Sequence, residues 1–234
     1  GPADRLMPIK GWNLGGTYSL GGAQVALKSQ GVSIGREVVF IGSGPLLYLV
    51  ASQYVQAGAK VAAVLDTSPS GARIKALPDL LALPSVLWNG IQLTRALAKA
   101  GVAVHHQITP VEVVGKADSG VTAARYRTAS GAEQTIACDA VAVGYHLRPE
   151  TQLADLARCA FVFDPATHQW LPQRDEDGRA SVEGVYLAGD GAKILGARSA
   201  EASGKLAALA ALSDLAIVTG VGEMNALRRE VAAY

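Results

Sequence analysis

Cysteine is scarce in this sequence: Cys138 and Cys159 are the only two among 234 residues. Far apart, they make neither the closely spaced pair of a thiol-disulfide centre nor a four-ligand metal site, so buried free thiols are expected. Charge of one sign is lacking too. Lys and Arg number 21 against 20 Asp and Glu, a formal net +1 with the basic residues scattered, which leaves no electrostatic footprint for nucleic acid. No apolar run reaches the ~18 residues that span a bilayer; Leu206 to Val218 is interrupted by Ser213 and Asp214. No basic-then-apolar leader opens the sequence, so a cytoplasmic protein without membrane contact is expected. The four histidines have no metal-ligand spacing: His105 and His106 fall on opposite faces of a predicted strand, and His146 and His168 stand alone. No metal is expected, and there is no internal repeat or low-complexity tail.

Aliphatic residues and glycine are plentiful. Half the residues are hydrophobic and 26 are glycine, with aromatics at 6%, the composition of a turn-rich α/β protein with aliphatic parallel strands and one large core or two smaller ones. The most informative glycines end two apolar runs. Glu37-Val-Val-Phe-Ile leads into Gly42-Ser43-Gly44-Pro45-Leu46-Leu47, and Gly184-Val-Tyr-Leu-Ala leads into Gly189-Asp190-Gly191-Ala192.

The order of elements frames these turns. Residues 1–35 read as a connector carrying one helix over 22–30. Residues 37–66 read as a β-α-β unit: strand 37–41, helix 45–56 stopped by Gly58, strand 60–66. Helices follow over 74–83 and 85–100, separated by Pro84. Strands follow over 102–106, 111–116, 121–128 and 133–143, three of them an antiparallel meander attached to the parallel sheet. Beyond Gly144 the pattern gives a short helix over 149–157, extended pieces over 161–164 and 169–171, and an exposed polar turn over 174–179. A strand over 184–188, a small-residue helix over 196–215 and an amphipathic segment over 223–233 complete the order.

In the first turn, Gly42 permits a tight reversal and Gly44 lets backbone approach a pyrophosphate, with Ser43 between them. Pro45 suits the first helical position, and the N–H groups from Leu46 onward face an anion at the positive end of the helix dipole. Leu47 stands where the usual fingerprint has its third glycine, which loosens the expected helix-to-strand contact. Asp66 ends the next strand, near the ~20-residue offset at which an acid meets ribose hydroxyls and repels a 2′-phosphate. The residues leave two roles for it: ribose acceptor, favouring NAD over NADP, or cap of the loop at Ser68 to Ser70. In the second turn, Asp190 either accepts hydrogen bonds from cofactor hydroxyls, with Gly191 and Ala192 exposing donors to phosphate, or N-caps the following helix.

Val182 to Leu212, with its YLAGDGAKILGARSAEASG core, resembles the C-terminal flavin motif of the pyridine nucleotide-disulfide oxidoreductase superfamily. Within it the resemblance is strongest to the alpha-type subunits of opine oxidase, hydrogen cyanide synthase and amino-acid dehydrogenase complexes. Gly11-Trp12 through Gln24, the Gly42 to Leu47 turn, Cys138 to Tyr145, Phe163-Asp-Pro165 and Trp170 to Pro172 fit the same group. The resemblance implies a Rossmann-like parallel sheet with an antiparallel β-meander, an NAD-type domain over 36–145, inserted in a partial FAD-type domain. Residues 1–35 then close the first FAD segment and 146–234 form the second, while the family's N-terminal glycine fingerprint has no counterpart here.

It further implies FAD at Gly189, Asp190, Gly191 and Ala192, and NAD or another adenine nucleotide at Gly42 to Leu46. The activity implied is oxidation of an amino acid or opine-like amine by hydride transfer through flavin. No catalytic acid or base can be named. The alternative is a non-catalytic adenine-nucleotide-binding subunit whose flavin site lies in another chain. A homo-oligomer or a partner oxidoreductase subunit is expected in either case.

Overall fold

Three runs of the chain are apolar on both faces, as strands must be when layers cover a sheet from both sides. In the computed structural model, which describes residues 2–69, 71, 84–217 and 220–233, these runs are the middle of a parallel sheet. The chain divides into two units, Asp4–His146 and Leu147–Tyr234 with Gly1–Ala3.

The first unit is built on strands β1 (Thr17–Ser19), β2 (Glu37–Ser43), β3 (Lys60–Asp66) and β4 (Ala103–His106), joined by Ala140–Tyr145, here β8. All pair in parallel in the order β1-β8-β2-β3-β4. Side chains alternate between faces. Val38, Phe40, Ala140 and Ala142 pack under helices α1 (Leu20–Gln30), α2 (Pro45–Gln56) and α3 (Pro84–Lys99). Val39, Ile41, Val141 and Val143 pack on the other face. There they meet the antiparallel sheet of β5 (Thr109–Lys116), β6 (Gly120–Arg127) and β7 (Glu133–Ala137). The β-α-β unit and the meander read from the sequence are both present.

Two expectations change here. Residues 17–30 are more than a connector: β1 forms the edge of the parallel sheet, and the Tyr54 hydroxyl donates to the Ala23 carbonyl at 2.8 Å, tying α2 to α1. The single strand expected over 133–143 is two strands in different sheets. The chain breaks at Cys138-Asp139 because the Asp139 carboxylate accepts the N–H groups of Arg36 at 3.0 Å and Glu37 at 2.8 Å, redirecting the backbone. The helix expected over 74–83 lies outside the described residues.

The second unit contains a short helix α4 (Gln152–Leu156), an antiparallel hairpin of β9 (Phe161–Asp164) and β10 (Gln169–Pro172), and helices α5 (Ala197–Asp214) and α6 (Val221–Ala232). Ala202, Leu206 and Ala210 of α5 pack against Met224 and Leu227 of α6. Among the described residues, 184–188 is not the expected strand. Its backbone folds locally instead, with Ala180 N–H donating to Val185 O at 2.9 Å and Leu187 N–H to Gly178 O at 2.7 Å. Nor is 174–179 simply an exposed turn. Asp177 is 5% exposed and accepts from Arg228 at 2.6 and 2.9 Å and from Arg179 at 2.8 Å. Arg179 in turn grips Asp214 through two hydrogen bonds, at 2.8 and 2.9 Å. Among the described residues no helix is long and apolar enough to cross a membrane.

Candidate functional site

From β2 the chain proceeds outward on one side to β3 and β4, whereas β8 lies on the other side and is reached much later. The carboxyl end of β2 is therefore a topological switch point, the place where open α/β sheets leave a crevice for ligands. The Gly42-Ser43-Gly44 turn occupies it. Gly42 pairs with both Gly144 and Asp66 across its neighbours, and a Cβ on Gly42 would stand 1.7 Å from the Gly144 carbonyl oxygen. Glycine is thus needed there for strand packing.

Gly44 is the N-cap of α2, with φ +85° and ψ 176°, and Pro45 follows at the first helical position. No side chain caps this helix end, so the opening N–H groups, from Leu46 onward, are not taken by a capping side chain. A Cβ on Gly44 would meet the imidazole of His146, 2.7 Å from Cε1. His146 has a left-handed backbone, φ +67°, which turns its ring over the glycine. Sequence reasoning missed this contact, because nothing in the residues around His146 signals a left-handed turn. Leu47, at the place of the fingerprint's third glycine, is fully buried between helix and sheet with Phe40 and Val50. The layer is closed by a leucine side chain in place of close backbone approach.

Asp66 lies at the end of β3 beside this turn but is only 1% exposed. Its Oδ2 accepts the Tyr48 hydroxyl at 2.5 Å and its Oδ1 accepts the Ser68 N–H at 2.8 Å. His106 Nδ1 stands 3.6 Å from Oδ2. Of the two roles open in the sequence, the geometry is that of the loop cap. A ribose diol would have to displace Tyr48 to use this carboxylate. Tyr48 sits in the first turn of α2, on the same turn as the cradle, and that spacing was the one available signal. His105, on the opposite face of β4, packs on Tyr126 with ring centroids 5.3 Å apart.

The second turn is a short 3-10 segment, Gly189–Gly191. The Gly189 N–H donates to the Ser203 hydroxyl at 3.0 Å, and the Glu150 N–H donates to the Asp190 carbonyl at 2.9 Å. The Asp190 carboxylate is half-buried and among the described residues has no hydrogen-bond partner. It does not cap the following helix, which begins at Ala197 with Gly196 as N-cap. Ala192 departs from its expected role as a phosphate donor: its side chain is buried and its N–H donates to the Gly189 carbonyl at 2.9 Å. The small residues of α5 serve this turn, since a Cβ on Gly189 would stand 3.1 Å from Ala200.

The two cysteines are buried free thiols, and burial, with Asp139 and Glu37 nearby, pushes the Cys138 thiol up to about 12.

The family model for pyridine nucleotide-disulphide oxidoreductases matches residues 1–208. An opine oxidase subunit from Agrobacterium tumefaciens (strain Ach5) is 40% identical over 222 residues, covering 94% of this chain and 43% of that protein. The HcnB subunit of hydrogen cyanide synthase from Pseudomonas protegens (strain DSM 19095 / LMG 27888 / CFBP 6595 / CHA0) is 32% identical over 227 residues, 92% of this chain and 47% of that one. The chain spans about half the length of the curated relatives it matches. Among solved structures, L-proline dehydrogenase from P. horikoshii aligns with a TM-score of 0.64 at 17% identity, covering 100% of this chain and 37% of that one. Thioredoxin reductase from T. acidophilum aligns with a TM-score of 0.63 at 22% identity, covering 92% and 64%. These two establish likeness of fold.

Proposed function

The chain belongs to the pyridine nucleotide-disulphide oxidoreductase family, and from that premise we propose that it is the nucleotide-binding part of a flavin-dependent oxidoreductase acting on an amino acid or opine-like amine. The opine oxidase and hydrogen cyanide synthase relatives, at 40% and 32% identity, support that substrate class. Because those relatives are named as subunits, a partner oxidoreductase subunit or a second copy of this chain completes the enzyme in this reading.

The observation that carries it is the uncapped start of α2 at the switch point of the parallel sheet. The Gly42-Ser43-Gly44 turn delivers the chain to this helix start, where the anion is held, while its own glycine Cβ spaces are taken by the Gly144 carbonyl and the His146 ring. Pro45 fixes the direction of the helix, and the N–H groups of Leu46 and Leu47 supply donors to the diphosphate of NAD or another adenine nucleotide. At the second turn, the unpartnered Asp190 carboxylate accepts hydroxyl hydrogens of FAD beside Gly189 and Gly191. Flavin and nicotinamide, when bound, would supply hydride transfer; these residues would hold the cofactors' diphosphate and hydroxyl groups.

The internal bonding of Asp66 favours a second reading, in which the first site is led by phosphate alone and takes any adenine nucleotide, ATP included, while flavin chemistry lies in another chain. One experiment separates the two: mass spectrometry of small molecules released on denaturing the purified protein, with thermal-shift titrations of FAD, NAD and ATP. Released flavin, or stabilisation by FAD, supports the oxidoreductase. Colourless protein stabilised only by NAD or ATP supports the nucleotide-binding role alone, and no response to any of the three defeats both.

A further inference from the structure

We propose that a cavity between the β9–β10 hairpin and the Gly189–Lys193 turn binds a small organic carboxylate, gripped by the Arg174 guanidinium with Lys193 alongside. The cavity measures about 350 Å³ and its walls are largely apolar, with Phe163, Leu171, Pro172 and Ala192 among them. Arg174, Lys193 and Asp164 supply charge at its surface. All of these residues belong to one unit of the chain.

The charges are unevenly matched. Lys193 Nζ lies 3.6 Å from Asp164 Oδ2, and its backbone N–H donates to the Gly189 carbonyl at 3.0 Å, which fixes its position. Asp164 is held in turn by the Thr167 hydroxyl at 2.8 Å and the Ala166 N–H at 3.1 Å. The Arg174 guanidinium has no hydrogen-bond or ion-pair partner among the described residues, although the adjacent Asp175 attracts it at longer range. The adjacent Asp175 carboxylate is turned to the N–H groups of Asp177 and Arg179, at 2.9 and 2.8 Å, and to the Arg179 guanidinium at 3.3 Å. Burial pulls the Arg174 pKa down, and the Asp175 attraction offsets this only in part.

A guanidinium drawn partly out of water without a hydrogen-bond partner loses hydration that an anion restores. Its planar fork matches a carboxylate through two parallel hydrogen bonds. The apolar walls then select a carboxylate that carries a hydrocarbon body over free phosphate, whose oxygens would meet carbon on most sides. The cavity adjoins the turn proposed to hold FAD, but its own contacts come from protein residues, so it is tested on the full chain as purified.

Calorimetric titration with 4-methylpentanoate, its primary amide and inorganic phosphate provides the test. The carboxylate is expected to bind and the amide not. Arg174→Met should weaken binding about tenfold or more, the usual loss of a charge-assisted contact. Arg174→Lys should restore part of the affinity, and Lys193→Met should weaken it less than Arg174→Met does. If Arg174→Met fails to fold, the comparison of acid with amide and the Lys193→Met variant still decide the matter. Absence of heat with 4-methylpentanoate, equal binding of acid and amide, phosphate binding as tightly as the acid, or an Arg174→Met variant with unchanged affinity would each overturn the proposal.

Discussion

The Tyr48 hydroxyl donates to Asp66 Oδ2 at 2.5 Å, joining the first turn of α2 to the end of β3. Asp66 is 1% exposed, so this bond and that of Ser68 replace hydration the carboxylate gave up on folding. Tyr48→Phe should destabilise the protein by about 1–3 kcal/mol, the usual cost of removing a hydrogen bond to a buried charged group. Urea denaturation measures it, and an unchanged midpoint would mean that the bond contributes nothing. The same variant removes the hydroxyl that a ribose diol would have to displace at Asp66, with His106 still beside the carboxylate. NAD affinity should rise relative to NADP if the first turn holds a dinucleotide.

Gly44 has φ +85° and ψ 176°, a region that side-chain-bearing residues enter at a cost of about 1–3 kcal/mol. Gly44→Ala also drives a methyl toward the His146 ring, 2.7 Å from Cε1. Lower thermal stability and loss of any adenine-nucleotide stabilisation are expected. Adding His146→Ala should relieve the ring contact but leave the backbone cost. Gly42→Ala is expected to be far worse, because its Cβ would stand 1.7 Å from the Gly144 backbone oxygen, which cannot swing aside as a side chain can. Soluble yield of the three variants orders these effects.

Leu47→Gly restores the third glycine of the dinucleotide fingerprint, yet Leu47 is fully buried. A cavity in the helix–sheet layer plus a glycine inside a helix should cost about 3 kcal/mol or more. A variant as stable as the parent in urea would show that α2 can settle onto the sheet without that side chain.

Asp177 is held below its ordinary value by the Arg228 hydrogen bonds, with Arg179 adding to them. A carboxyl lowered in the folded state contributes stability above its unfolded pKa and loses it as pH falls through the folded one. The contribution should therefore be complete at neutral pH and fall away only on acidification from the ordinary aspartate value, 3.8, downward. Asp177→Asn should remove that part of the acid dependence. Denaturation midpoints measured across the acidic range compare the two proteins.

Cys138 is buried, with its thiol pushed up to about 12. At pH 8 the native protein should resist alkylation there, because the thiolate is the reacting form. Mass spectrometry after iodoacetamide treatment, native against denatured, should find Cys138 modified only in the denatured sample. Ready modification of the native protein would contradict the burial.

The parts of the molecule legible in the sequence are those governed by neighbours along the chain. Glu37–Ser43 and Lys60–Asp66 announce themselves as strands through unbroken apolar runs, and Pro45 and Gly44 mark the start of α2 through backbone geometry that few residues adopt. The failures share one cause. The run 133–143 reads as a single strand because no glycine or proline interrupts it and apolar residues stand on both sides of Asp139. The break comes from Asp139, whose carboxylate binds the N–H groups of residues about a hundred positions earlier. The run 184–188 has the residues of a strand, but its backbone finds hydrogen bonds within the preceding turn.

The sequence by itself thus determined the α/β pattern, the glycine cradle after β2 and the position of Asp66 at a strand end, all consequences of local periodicity and backbone preference. Only the tertiary structure decided that Tyr48 and Ser68 engage that carboxylate, that His146 turns over Gly44, and that Arg174 lines a cavity without a hydrogen-bond partner. Those outcomes depend on which distant segments meet when the layers pack, and burial then decides which polar groups must find partners inside the protein.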